Sequence, residues 1–242
     1  LWVTPLGFPI FEFLTGALNR KSIYDVDDMI FIKEKIKFNQ IWLVFKDKGK
    51  PGRGKPFALM RRARHIIVCT PKLKGIAHGY NSRVTDISST INIQVYKPVK
   101  EYKKNEITIL GWTGSFGGLD YLHTLDNILK EVAKQRKIKL VVIFNIVDQK
   151  FELEGVDIEN IPWREETEVK DLQKIEIGLY PLVKGEWSLG KSGLKALQYM
   201  ALGIPVIATA FGANLRVIED GVSGFLVDSQ QEWIDTIIKL ID

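Results

Sequence analysis

The sequence predicts an α/β chain of two bodies, each built on a parallel sheet, with the first body incomplete. Short runs that are apolar at every position alternate with segments whose apolar residues recur at helical spacing, the pattern of strands buried on both faces. Charge divides unevenly along the chain. Residues 1–104 hold 20 Lys/Arg against 8 Asp/Glu, a balance of +12, and residues 105–242 hold 14 against 21, a balance of −7, which together make the net +5. A length of 242 residues accommodates one large domain or two small ones.

In the first half, Ser22-Ile23-Tyr24-Asp25-Val26 and Ile66-Ile67-Val68-Cys69 read as strands, with a helix over residues 57–64 between them. Residues 46–55 form a basic, glycine-bearing loop. Two strands are too few for a self-sufficient domain, so this half reads as cut short. The polar, proline-bearing stretch of residues 96–104 is the natural linker, giving expected boundaries of 1–97, 98–106 and 107–242.

The second half alternates more completely. Ile107-Thr108-Ile109-Leu110 is a buried strand, followed by the turn Gly114-Ser115-Phe116-Gly117-Gly118 and a helical stripe from Leu119 to Val132. Lys139-Leu140-Val141-Val142-Ile143-Phe144, Ile175-Glu176-Ile177-Gly178-Leu179-Tyr180 and Pro205-Val206-Ile207-Ala208-Thr209 supply further strands. A helix over residues 192–202 lies between the last two, and Trp233, Ile234, Ile237, Ile238 and Ile241 stripe a final helix.

Composition excludes several classes. At 45% hydrophobic and 26% charged, the chain is neither collagenous nor disordered. No apolar run approaches the ~18–20 residues of a membrane-spanning helix. Leu1-Trp2-Val3-Thr4-Pro5 is no signal peptide, and without an initiator Met the chain is expected to begin inside a longer one. Cys69 is the single cysteine, which forbids an internal disulfide and points to a reducing, cytoplasmic setting. The basic half suits an anionic membrane surface, a phosphorylated substrate, nucleic acid or plain solvent.

No metal constellation is evident, since His65, His78 and His123 are scattered. Gly111-x-x-Gly114-x-x-Gly117 misses the dinucleotide fingerprint, which argues against a nicotinamide-dependent oxidoreductase. Gly190-Lys191-Ser192 ends like a phosphate loop, but Glu186 is taken to stand where its first glycine belongs, and the motif is set aside.

The most specific segment runs from Gly178-Leu179-Tyr180-Pro181-Leu182 through Trp187 and Gly190-Lys191-Ser192-Gly193-Leu194-Lys195-Ala196-Leu197-Gln198-Tyr199-Met200-Ala201. It continues to Pro205-Val206-Ile207-Ala208-Thr209 and Asp220-Gly221-Val222-Ser223-Gly224-Phe225-Leu226-Val227. In this order it resembles glycosyltransferase family 4, retaining enzymes of the GT-B fold that use nucleotide diphosphate sugars, over most of residues 107–242. Tyr24-Asp25-Val26-Asp27-Asp28 resembles the "YDxDD" segment of a bacterial branch, with residues 84–92 where a last strand of the first domain would run.

The resemblance implies two Rossmann-like domains with parallel sheets. It implies metal-free transfer without a cofactor, with helix N-termini and cations stabilising the leaving diphosphate. Lys191, opening a helix, becomes the catalytic lysine. Gly114, Ser115, Gly190, Ser192, Gly193, Leu194, Lys195 and Gln198 form the donor side, and Asp25, Asp27 and Asp28 the acceptor side. Two family glutamates are replaced by Gly190 and Gln198, and the usual Arg and Lys after the first strand of the second domain by Trp112, Thr113, Gly114 and Ser115. Relative to the family, the chain reads as truncated at both ends.

The expected activity is sugar transfer to a glycan or lipid-linked acceptor in surface polysaccharide synthesis. The expected place is the cytoplasm, with peripheral contact to an anionic inner membrane face and no nucleic-acid partner. The alternative is a truncated module that binds a nucleotide sugar without catalysis.

Overall fold

The computed structural model describes residues 21–29, 54–98, 106–145 and 150–242. Most of the basic loop of residues 46–55 and most of the expected linker therefore lie outside the described residues. The chain divides into two compact units, Leu1–Ser89 with Gly185–Ser192, and Thr90–Lys184 with Gly193–Asp242. This grouping differs from the boundaries drawn on the sequence. Tyr96 and Pro98 pack with the second unit, and Trp187 packs against the core of the first.

Among its described residues, the first unit holds a parallel sheet of three strands, β1 (Ile23–Val26), β2 (His65–Val68) and β3 (Val84–Asp86), in that order. Helix α1 (Gly54–Arg62) precedes β2, and α2 (Pro71–His78) joins β2 to β3. Tyr24, Val26, Met60, Ile66, Val68, Leu73 and Ala77 form its core. Helix α2 was missed by periodicity, yet its start follows the ordinary rules. Thr70 caps it by accepting the Leu73 N–H at 3.2 Å, and Pro71 takes the first position, where no amide is needed.

Among its described residues, the second unit holds a parallel sheet of six strands, β4 (Thr108–Gly114), β5 (Ile138–Phe144), β6 (Asp157–Pro162), β7 (Ile177–Tyr180), β8 (Val206–Thr209) and β9 (Phe225–Val227). They lie in the order β6-β5-β4-β7-β8-β9. Strand β5 shows why the apolar runs are continuous. Leu140, Val142 and Phe144 enter one core with Leu129, Val132, Trp233 and Ile237, while Val141 and Ile143 enter the opposite one with Ala196, Tyr199 and Leu202.

Two strands escaped the sequence reading. β6 is an edge strand of half-buried and exposed residues, and β9 has three residues, so neither shows an apolar run. The stripe from Leu119 to Val132 does face the core, but in pieces. A 3₁₀ turn at Phe116–Gly118 leads to α3 (Leu119–Leu122), and another at His123–Leu125 leads to α4 (Asp126–Gln135). Helix α5 (Glu168–Leu172) precedes β7, and α7 (Asn214–Val217) follows β8. The last helix, α8 (Gln230–Ile241), opens with a capping box between Ser229 and Glu232.

Helix α6 (Leu194–Ala201) is shorter than expected because glycines with left-handed backbones bound it, Gly193 at φ +80° before it and Gly203 at φ +71° after it. Lys191 therefore does not open this helix. It stands in extended backbone three residues earlier, after a 3₁₀ turn at Ser188–Gly190.

A glycine in β7 seats α6 on the sheet, and its partner in β4 makes room for Ile175. Gly111 and Gly178 are register partners in β4 and β7. A Cβ on Gly178 would lie 2.6 Å from the Tyr199 ring, and one on Gly111 would lie 2.3 Å from Ile175. Gly178→Ala is expected to destabilise the chain by about 1–3 kcal/mol, the usual cost of overpacking. Gly117→Ala, where a Cβ meets nothing within 4 Å, should stay within about 0.5 kcal/mol. Urea unfolding midpoints of the two variants check the contrast.

Candidate functional site

In the second unit, β4 leads to β5 and β6 on one side, while β7, β8 and β9 extend the sheet on the other. The strand order thus reverses between β4 and β7, and the carboxyl ends of these two strands flank the usual ligand crevice of such a sheet. Lys195, on the first turn of α6, places its ammonium there, 4.7 Å from the centroid of Trp112 and 5.8 Å from that of Tyr180. Each aromatic face favours a cation by about 0.5–2 kcal/mol. Gly114 makes the arrangement sterically feasible. A Cβ there would lie 2.7 Å from the Lys195 Nζ and 2.3 Å from the Trp112 ring.

The structure thus brings together Gly114, Gly193, Leu194 and Lys195 from the expected donor side, all within this unit. The aromatic bracket of Trp112 and Tyr180 was missed, because Trp112 is a buried strand residue with no local sequence signal for its role. Ser115 is exposed in the turn after β4. The amides around it are already engaged: Phe116 N–H donates to Asn145 Oδ1 at 2.7 Å and Gly118 N–H to the Ser115 carbonyl at 2.8 Å. The anion-cradling role expected of that turn has fewer amides available than its glycines suggest.

Gly190, Lys191 and Ser192 belong to the first unit, with the aspartates. Lys191 Nζ lies 2.8 Å from Asp28 Oδ2 and 5.0 Å from the Trp187 ring centroid. Asp28 Oδ1 accepts the Met29 N–H at 2.9 Å. Asp25 and Asp27 are exposed near the carboxyl end of β1. Cys69, buried beside them, donates to the Asp27 carbonyl at 3.2 Å. Burial and the neighbouring carboxylates of Asp27 and Asp28 push its thiol up to about 11, away from nucleophilic use. Among the described residues, no three His, Cys, Asp or Glu side chains converge as a metal site would require.

The phosphate-loop spacing is in fact complete, because Gly185, not Glu186, stands five positions before Gly190. The structure is what excludes the motif. Leu189, Gly190 and Lys191 donate their amides to the carbonyls of Gly185, Trp187 and Ser188, closing a 3₁₀ turn instead of facing a phosphate.

Gln198 is buried on α6, and its amide is committed inside the second unit. Nε2 donates to Tyr96 Oη and to Glu168 Oε1, each at 3.1 Å. The Glu168 carboxylate also accepts from Tyr96 Oη at 2.5 Å and from Trp163 Nε1 at 2.9 Å. Gln198 thereby ties α6 to the segment around residue 96, a use the sequence did not signal. Burial, then the bond to Glu168, holds the Tyr96 phenol above its ordinary range. A raised phenol stabilises the fold below the unfolded value near 10 and loses that contribution as pH rises through the folded value. Tyr96→Phe is therefore expected to cost about 1 kcal/mol between pH 7 and 9, with the gap to wild type closing above pH 10. Thermal melts of both proteins across pH 7–11 measure it.

The family model described as "Glycosyl transferases group 1" matches residues 107–242, more than half of the chain. Sucrose synthase of Acidithiobacillus caldus is 56% identical over 36 residues, 15% of this chain and 4% of that protein. D-inositol 3-phosphate glycosyltransferase of Mycolicibacterium smegmatis is 44% identical over 52 residues, 21% of this chain and 12% of that protein. These matches thus span only small parts of both chains. Among solved structures, Anabaena Alr3699/HepE in complex with UDP and glucose superposes with a TM-score of 0.66 at 14% identity, over 96% of this chain and 65% of that one. A mutant of S. aureus TarM, solved with fondaparinux, alpha-GlcNAc-glycerol and UDP, does so at 0.62 and 15%, over 95% and 51%. The α/β fold with parallel sheets is the GT-B type that the sequence predicted. The chain belongs to the group 1 glycosyl transferases.

Proposed function

We propose that the chain moves a sugar from a nucleotide diphosphate sugar to a hydroxyl-bearing acceptor. The observation that carries this reading is the Lys195 ammonium, bracketed by Trp112 and Tyr180 where the strand order of the second sheet reverses. A fixed cation at that crevice is suited to the charge that develops on a departing diphosphate. The donor group is Gly114, Ser115, Gly193, Leu194 and Lys195, continued along the chain by Gly190, Lys191 and Ser192. Lys191 is the second lysine acting on transfer, and Asp25, Asp27 and Asp28 form the acceptor side.

In its finer form the reading is retaining, metal-independent transfer to a glycan or lipid-linked acceptor in surface polysaccharide synthesis. Its setting is the cytoplasm, with the basic half at an anionic membrane face. Among the described residues no helix is long and apolar enough to cross a membrane. Two observations favour the alternative, a module that binds a nucleotide sugar without catalysis. Gln198 is occupied by Tyr96 and Glu168, and Gly190 offers no side chain.

UDP is the natural probe, since Alr3699/HepE was solved with it. Lys195→Ala is expected to weaken UDP binding by about 1.5–3 kcal/mol in calorimetry, as the loss of a hydrogen bond to a charged group does. Unchanged affinity would remove Lys195 from the donor group. Binding, and release of UDP from UDP-glucose, should persist in excess EDTA. Dependence on added Mg²⁺ or Mn²⁺ would overturn metal-independent transfer, and binding without any release would favour the module.

A further inference from the structure

We propose that Asp28 is a positioning residue for Lys191, and that their ion pair seats the strap of residues 185–192 on the first unit. The strap follows Lys184 and ends where Gly193 returns the chain to the second unit. Its own hydrogen bonds close a single 3₁₀ turn, so its placement depends on what it meets in the first unit.

Side chains at three positions of the strap attach it. Glu186 pairs with Lys72 at 3.1 Å, but with side chains 62% and 38% exposed this contact is screened and weak. Trp187 packs on the apolar core. The third is Lys191 with Asp28, whose side chains are 30% and 28% exposed. This pair is better built. Asp28 Oδ1 is fixed by its neighbour's backbone N–H, which aims Oδ2 at the lysine, and the Trp187 ring backs the ammonium. Gly190 makes the close approach sterically tolerable, since a Cβ there would lie 2.3 Å from Met29 Cγ. Cys69 Sγ reaches the Gly190 carbonyl at 3.9 Å on the same seam. A lysine stem has four flexible carbons, so without the carboxylate its ammonium would sample solvent.

The inference rests on the proposed transfer only for what Lys191 does once placed; the seating of the strap is independent of it. The test uses the full chain with Asp28→Asn, Asp28→Glu, Lys191→Met and the double variant Asp28→Asn/Lys191→Met. Hydrogen exchange by mass spectrometry reads the amides of Leu189, Gly190 and Lys191. In Asp28→Asn and in Lys191→Met their exchange should rise at least tenfold while β4 and β5 keep wild-type protection. The double variant should add nothing further, and Asp28→Glu should restore most of the protection.

In UDP-glucose hydrolysis, Asp28→Asn should lower kcat at least tenfold with KM within threefold, because the Lys195 group lies in the other unit. Unchanged exchange in both single variants, or independent and additive effects, overturns the proposal. If wild type releases no UDP, the transfer reading fails, and the exchange data alone still decide the seating. Should Asp28→Asn fail to fold, Lys191→Met carries the same comparison from the other partner.

Discussion

The contact between α6 and the seam of β4 and β7 is the constraint on which the second unit's arrangement depends. Gly178 admits the Tyr199 ring, Gly111 admits Ile175, and Tyr199 Oη donates to the Gly111 carbonyl at 3.3 Å. Full burial holds that phenol far above its ordinary range, so it remains a neutral donor. With the helix pressed on the seam, the first turn of α6 has one place to stand. Lys195 is carried by that placement to the carboxyl ends of the strands, where Gly114 leaves room for it. Gly178 thus sets the distance between helix and sheet, and Gly114 leaves the room that the Lys195 ammonium occupies.

Two lysines four positions apart illustrate how little sequence proximity fixes function. In a continuous helix, Lys191 and Lys195 would be neighbours on one face. Gly193, with its left-handed backbone, interrupts that helix. Lys195 joins the aromatic residues of the second unit, and Lys191 joins a carboxylate of the first. One motif therefore serves two bodies.

Polar chemistry is distributed in the same economical way. Glu168 accepts from Tyr96, Gln198 and Trp163 at once, so a single carboxylate anchors three segments. The expectation of a donor-side amide at Gln198 met a helix position buried under the chain near residue 96. Side chains on a buried face are recruited by whatever packs over them, and that partner lies 102 residues away.

What the sequence by itself determined was the fold class, the order of most strands and the family. Runs such as residues 139–144 can be buried only within a parallel sheet covered on both sides, and the segment from Gly178 to Val227 is long and ordered enough to be diagnostic. Short or half-exposed elements such as β3, β6 and β9 carry too few apolar residues for any period to register. Tertiary structure alone decided which side chains meet. The bracket of Trp112 and Tyr180 around Lys195, the pairing of Asp28 with Lys191, and the closed amides of the phosphate-loop look-alike all join residues by contact across space or by local backbone geometry. Periodicity reports which face is apolar; it holds no information on the distance between two faces, and chemistry at a site is set by that distance.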